Sequence, residues 1–167
     1  MECLFEDGGV TPYNNPAHLL FLKTTLPEYR LQWPTGTENL HLVSVGTGHL
    51  KHGRPNLAEP HLLETATNLP IALIQSYQQN QDLLCRLQGQ TLFGAPIDSE
   101  LGDLIRPHDN PAFTYVRYNH LFTNDDFQAF TGTVPTNLPI DNLDTIPFLT
   151  QFGQEYALGN VQLAHLR

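Results

Sequence analysis

The residues best suited to chemistry stand close together near the start of the chain, in Glu6-Asp7-Gly8-Gly9-Val10-Thr11-Pro12-Tyr13-Asn14-Asn15-Pro16-Ala17. A short apolar run, Cys3-Leu4-Phe5, precedes them and an apolar helical pattern follows. The stretch therefore reads as a strand, a tight turn and a helix start. Asp7 falls where the strand ends. Gly8 and Gly9 are expected to let the backbone turn through positive φ and pass close to a neighbour. Asn14 or Asn15 can cap the helix, and Pro16 suits its first turn. An acid beside a glycine pair at the C-terminal end of a strand is where α/β folds place site residues. The plainer alternative is that Asp7 braces the turn of its own glycines.

Other residue groups offer weaker chemistry. Ser44 lies in Leu42-Val43-Ser44-Val45-Gly46, inside an apolar run, and reads as a small residue in a buried strand. Ser99 as a nucleophile would need a base and an oxyanion hole, and the sequence offers neither beside it. Gly46-Thr47-Gly48 lacks the Lys-Ser/Thr ending of a phosphate loop and the third glycine of a dinucleotide fingerprint, so it reads as a turn at a strand end. His49, His52 and His61 form a loose group without an acid or cysteine at supporting spacing, and read as solvated loop histidines. No metal and no cofactor is assigned.

The elements that would position these residues follow from periodicity. A helix is expected from Pro16 to about Leu26, apolar almost all round and so buried on more than one side. Leu40 to Val45 is nearly continuous in apolar character, as in a parallel strand covered on both faces. Pro60 to about Asn68 reads as a short helix, with Asn68-Leu69-Pro70 as a cap and restart. Ile71 to Leu87 then forms a longer helix with Ile71, Ile74, Tyr77, Leu84 and Leu87 near one face, stopped by Gly89. Gln78 to Asp82 within it is strongly polar. Gln90 to Pro111 is loop-rich, with Asp98 or Ser99 capping a turn. Phe113 to Tyr118 reads as a strand, with Arg117 expected to pair with a carboxylate. Helices are expected from Thr123 to Gly132, from Pro147 to about Ala157 and from Val161 to Leu166. No repeat, low-complexity tract or linker divides residues 1–167, so they read as a single unit.

The 167 residues suffice for one domain with a sizeable core. A hydrophobic content of 40% fits a soluble globular chain. The net charge of −9, from 8 Lys plus Arg against 17 Asp plus Glu, argues against a nucleic-acid partner and gives no attraction to anionic lipid. Acyl chains remain compatible, since they bind through apolar surface. Cys3 and Cys85 read as reduced, buried thiols. The start of the chain lacks a basic segment and a long apolar run, and no stretch approaches the roughly 20 apolar residues of a membrane span. A cytoplasmic protein is expected.

Asp7-Gly8-Gly9 followed by Asn14-Asn15-Pro16 resembles the aspartate motif of the patatin-like phospholipases. Three further blocks are similar to that family, in its order: Leu42-Val43-Ser44-Val45-Gly46-Thr47-Gly48, Ser76-Tyr77-Gln78-Gln79-Asn80-Gln81-Asp82-Leu83-Leu84-Cys85-Arg86, and Tyr115-Val116-Arg117-Tyr118-Asn119. The resemblance runs from about Leu4 to the end of the chain. It implies the C-terminal part of a three-layer α/β/α domain, with few strands and mostly helices and loops. It also implies hydrolysis of lipid esters by a serine and aspartate pair, in which Asp7 matches the aspartate that takes the serine proton. The family's serine lies in Gly-x-Ser-x-Gly, and a glycine-rich loop supplies the oxyanion donors. Both precede the aspartate in family order, and only six residues precede Asp7 here.

The resemblance thus implies a fragment that holds one member of the dyad and is inactive alone. A lipid ester substrate, a separately supplied N-terminal half or a homo-oligomer would be its partners. A non-catalytic lipid- or protein-binding module on the same scaffold, or a decayed remnant, are the alternatives. Two or three strands do not make a covered parallel sheet. Buried apolar side chains stabilise by about 1.5–3 kcal/mol each, against a net domain stability of about 5–15 kcal/mol. The isolated chain is therefore expected to be unstable, oligomeric or aggregation-prone.

Overall fold

The computed structural model describes residues 7–50, 62–131 and 143–166. In chain order these hold α1 (Ala17–Thr25), β1 (His41–Val45), β2 (His49–Leu50), α2 (Leu62–Gln88), β3 (Gln90–Phe93), β4 (Thr114–Tyr118), β5 (Leu121–Phe122), α3 (Asn124–Thr131) and α4 (Ile146–Asn160). Short 3-10 turns lie at Gly8–Val10, Pro27–Tyr29, Leu143–Thr145 and Leu163–His165. The fold is α/β, with helices and small parallel sheets. The strand expected at Cys3–Phe5, His52 and His61 of the histidine group, and the helix stop at Gly132 lie outside the described residues. No helix among the described residues is long and apolar enough to cross a membrane. Although the sequence carries no linker, backbone contacts gather it into two compact units, residues 1–47 with 54–119 and residues 48–53 with 120–167.

In the first unit the sheet order is β1-β4-β3, and every pairing is parallel. The central strand β4 reads Thr-Tyr-Val-Arg-Tyr, whose β-branched and aromatic residues suit a pleated buried surface. Tyr115, Val116, Arg117 and Tyr118 are all buried. Flanking it, β3 occupies a stretch whose sequence reads as loop. It is only four residues long and carries one fully buried side chain, Thr91. The expectation that β1 is covered on both faces is corrected. Leu42 and Ser44 are buried, while Val43 is 37% and Val45 75% exposed. A strand alternates its side chains, so one face of β1 packs and the other is open. Among the described residues β1 is also an edge strand.

The core of this unit joins Ala17, Phe21, Leu42, Cys85, Phe113 and Tyr115, with the Phe21 and Phe113 rings 4.6 Å apart. Helix α1 starts where Pro16 suggested, but it buries only Ala17, Phe21 and Thr24. That i, i+4, i+7 spacing is a single stripe, and Leu20 is more than half exposed, so the expectation of burial on several sides does not hold. The predicted break before Pro70 is likewise absent, because α2 runs unbroken from Leu62 to Gln88 with Pro70 inside it. Its packed side is set by Gln81, Cys85 and Arg86, while Leu87, one of the apolar positions read near one face, is exposed. The helix ends at Gly89, whose N–H donates to the Cys85 carbonyl.

In the second unit β2 and β5 form a short parallel pair. Phe122, Phe127 and Phe152 are buried, with Phe148 and Tyr156 packed against them. Thr123 and Asp126 close a capping box at the start of α3. The Asp126 N–H donates to Thr123 Oγ1 at 3.3 Å, and the Thr123 N–H to Asp126 Oδ2 at 2.7 Å. His120 Nε2 lies 3.1 Å from the same carboxylate oxygen. Burial alone would raise the Asp126 pKa, but the Thr123 backbone N–H, the His120 ring and the Thr123 hydroxyl together hold it below the usual carboxylate value.

Candidate functional site

Asp7 sits immediately before the 3-10 turn, and its Oδ1 accepts a hydrogen bond from the Gly9 N–H at 2.9 Å. The next residues continue the local bonding, with Thr11 Oγ1 donating to the Gly8 carbonyl at 2.8 Å. Neither Gly8 nor Gly9 takes a positive φ, which corrects the reason assigned to them from sequence. Gly9 serves by size instead. A Cβ there would lie 3.3 Å from Asp7 Oδ1, inside ordinary contact distance. Asp7 is exposed, and among the described residues no hydroxyl bonds its carboxylate.

The loop that begins at Asp7 is anchored at its far end. Asn15 is 2% exposed. Its Oδ1 accepts from the Ala17 N–H at 3.3 Å and from Ser44 Oγ at 3.0 Å, while Pro16 rather than Asn15 stands at the N-cap of α1. Arg117 Nη1 donates to the same Ser44 oxygen at 2.7 Å. Ser44 and Arg117 are register partners on β1 and β4, each one residue from the C-terminal end of its strand. The next glycine completes the approach. A Cβ on Gly46 would run into Asn119 Oδ1 and lie 2.8 Å from Arg117 Nη2. The Asp7–Asn15 loop thus meets the sheet at the carboxyl ends of its parallel strands, the place where open α/β sheets bind ligands.

This geometry revises two readings. Ser44 is buried, as expected, but it is a polar junction rather than inert filler. Its proton goes to an amide oxygen, which is no base, so the hydroxyl is not activated for attack. Arg117 was expected to pair with a carboxylate. Among the described residues it makes no such ion pair, because β4 directs it across the sheet end to Ser44. The sequence signal for this junction was slight: Ser44 and Arg117 each interrupt a strand that is otherwise mostly apolar.

The polar run ahead of Arg86 also acquires a reason. Asp82 takes Arg86 Nε at 3.1 Å and Nη2 at 2.8 Å, and the Tyr115 hydroxyl donates to it at 2.9 Å. Arg86 Nη1 donates to the Asp103 carbonyl at 2.7 Å. These bonds tie α2 to β4 and to the segment after β3. Burial, and then the Asp82 carboxylate, push the Tyr115 hydroxyl far above its ordinary range. Burial likewise pushes the Cys85 thiol up to about 12, so it stays protonated and unreactive.

Ser76 and Ser99 are exposed. The carboxylate beside Ser99 is engaged, since Asp98 Oδ1 accepts from the N–H groups of Glu100 and Leu101. No group of three or more metal-ligating side chains occurs among the described residues. Set against models of known protein families, curated proteins and solved structures, the chain matches none of them.

Proposed function

We propose that this chain is the aspartate-bearing part of a patatin-like serine–aspartate lipid acyl hydrolase, with Asp7 as the general base toward a serine that these 167 residues do not contain. The reading rests first on the four sequence blocks that resemble the family. The structural observation that carries it is the placing of Asp7. An exposed carboxylate, steadied by the Gly9 amide, stands on a loop whose other end is bonded to Ser44 at the carboxyl end of a parallel strand. A base must be accessible and oriented, and in support Asp7 is exposed with its Oδ1 bonded by the Gly9 N–H. In the complete reaction the serine oxygen attacks the ester carbonyl, its proton passes to the aspartate, and backbone N–H groups hold the oxyanion. The substrate proposed is a lipid ester, the compartment the cytoplasm, and the partner either an N-terminal half or further copies of the chain.

A non-catalytic lipid- or protein-binding module is the second reading. One observation favours it: Ser44, the serine nearest the loop, is held between an amide and a guanidinium with no base beside it. Mixing the pure chain with a polypeptide carrying the family's Gly-x-Ser-x-Gly half separates the two. Hydrolysis of a short-chain ester by the mixture, lost with Asp7→Asn, supports the dyad. A mixture that associates and stays inert supports the binding module.

A further inference from the structure

We propose that the loop that closes α1, residues 24–33, is a docking surface for a phospholipid bilayer with zwitterionic headgroups. The loop is held shut at its neck, where the Trp33 N–H donates to the Thr24 carbonyl at 2.8 Å. Within it the Tyr29 N–H donates to the Leu26 carbonyl and the Arg30 N–H to the Pro27 carbonyl. Compact surface loops of this kind, with their ends close together, are frequently functional. Every residue from Leu26 to Thr35 is exposed. Four of them, Leu26, Tyr29, Leu31 and Trp33, are large and apolar or aromatic, and each is 39–54% exposed. Arg30 and Gln32, on either side of Leu31, both hold positive φ, at 67° and 49°. That conformation is costly for residues with a Cβ, and such strain gathers at functional loops.

Charge and area select the occupant. Residues 8–37 contain Lys23 and Arg30 against the single acid Glu28, a net charge of +1 in a chain of −9. Both cations are exposed, and among the described residues neither enters an ion pair. Phosphate groups above an apolar layer meet both kinds of side chain at once. Lysine and arginine reach the phosphates, tryptophan and tyrosine sit at headgroup level, and leucine enters the acyl boundary. The negative charge of the rest of the chain opposes an anionic surface, which leaves a zwitterionic one. A protein partner fits less well. A specific interface takes about 800 Å² from each side, more than four half-exposed side chains on one loop supply. A bilayer accepts side chains singly. The inference goes beyond the hydrolase proposed for Asp7 and does not rest on it, and binding is read without turnover, so the two fail separately.

Trp33 is the only tryptophan of the chain, so its emission reports on this loop alone. The test is titration of the full chain with phosphatidylcholine vesicles. Trp33 emission should move to shorter wavelength in a saturable way, and should be quenched when the lipid acyl chains carry bromine. Leu31→Ser, at an exposed site, should keep the fold and bind about tenfold more weakly, because the leucine side chain no longer enters the lipid. Lys23→Glu should also weaken binding. Val45→Ser, at a more exposed apolar site on β1, should bind as the parent does. Unchanged Trp33 emission with vesicles, or Leu31→Ser binding as tightly as the parent, would overturn the proposal. So would a shift that follows protein concentration without lipid, which would assign the loop to a second copy of the chain.

Discussion

Replacing Asp82 by alanine should be among the most damaging single changes to this fold. Arg86 is 1% and Asp82 15% exposed at the side chain, so the pair is largely cut off from water. Asp82 receives three donors, two from Arg86 and one from Tyr115. Asp82→Ala leaves the guanidinium with the Asp103 carbonyl alone and the Tyr115 hydroxyl without its acceptor. Stranding a buried charge in this way costs about 3–5 kcal/mol. In a chain of this size Tm falls by about 2–4 °C per kcal/mol, so a drop of about 6–20 °C is expected in calorimetry. Tyr115→Phe removes a single bond to a charged acceptor, and should cost only about 1.5–3 kcal/mol. The double change Asp82→Leu with Arg86→Met removes both charges at once and should recover most of the loss, since hydrophobic replacements of buried pairs are often neutral or better. An Asp82→Ala penalty under about 1 kcal/mol, or a double variant no better than the single one, would refute the reasoning.

The two faces of β1 should respond differently. Leu42→Ala is expected to cost about 2–5 kcal/mol by urea unfolding and Val45→Thr to stay within about 0.5 kcal/mol, and similar costs at both sites would contradict the one-sided burial. Cys85 should resist iodoacetamide at pH 8 in a folded Cys3→Ser variant and react once urea unfolds it. Because its pKa is raised from 9.0 to about 12, its contribution is complete below pH 9 and declines as pH climbs from there toward 12. Asp126 has the opposite sign. Its folded pKa lies below the ordinary 3.8, so its contribution is present above that pH and is lost as pH falls through the lower folded value. Acid melts should therefore show Asp126→Asn losing less stability than the parent between about pH 5 and pH 2.

Elements whose cause is local could be read directly. The start of α1 follows from Asn15-Pro16, the start of α3 from Thr123 and Asp126, and β4 from its aromatic and β-branched run. The misreadings all turn on tertiary context. Pro70 costs a helix one hydrogen bond and a clash, about 3 kcal/mol, but α2 is long and its packed C-terminal half carries it. Val43 and Val45 look like buried strand residues, and no local signal says that one face of β1 is open. The strand β3 is too short and too polar at its start to stand out from the loop around it. At the candidate site, the sequence singled out Asp7 and its glycines. Beyond the polar breaks at Ser44 and Arg117, nothing local signals that Asn15, Ser44 and Arg117 meet, because their contact spans residues far apart in the chain and depends on the register of β1 with β4.

The most direct measurement is hydrolysis of a short-chain ester by the purified chain, run beside Asp7→Ala. Neither protein should turn the ester over, because Asp7 braces a glycine turn and no serine hydroxyl among the described residues reaches it. Turnover by the parent chain that disappears in Asp7→Ala would mean that a serine within these 167 residues completes the dyad, contrary to the function proposed for Asp7.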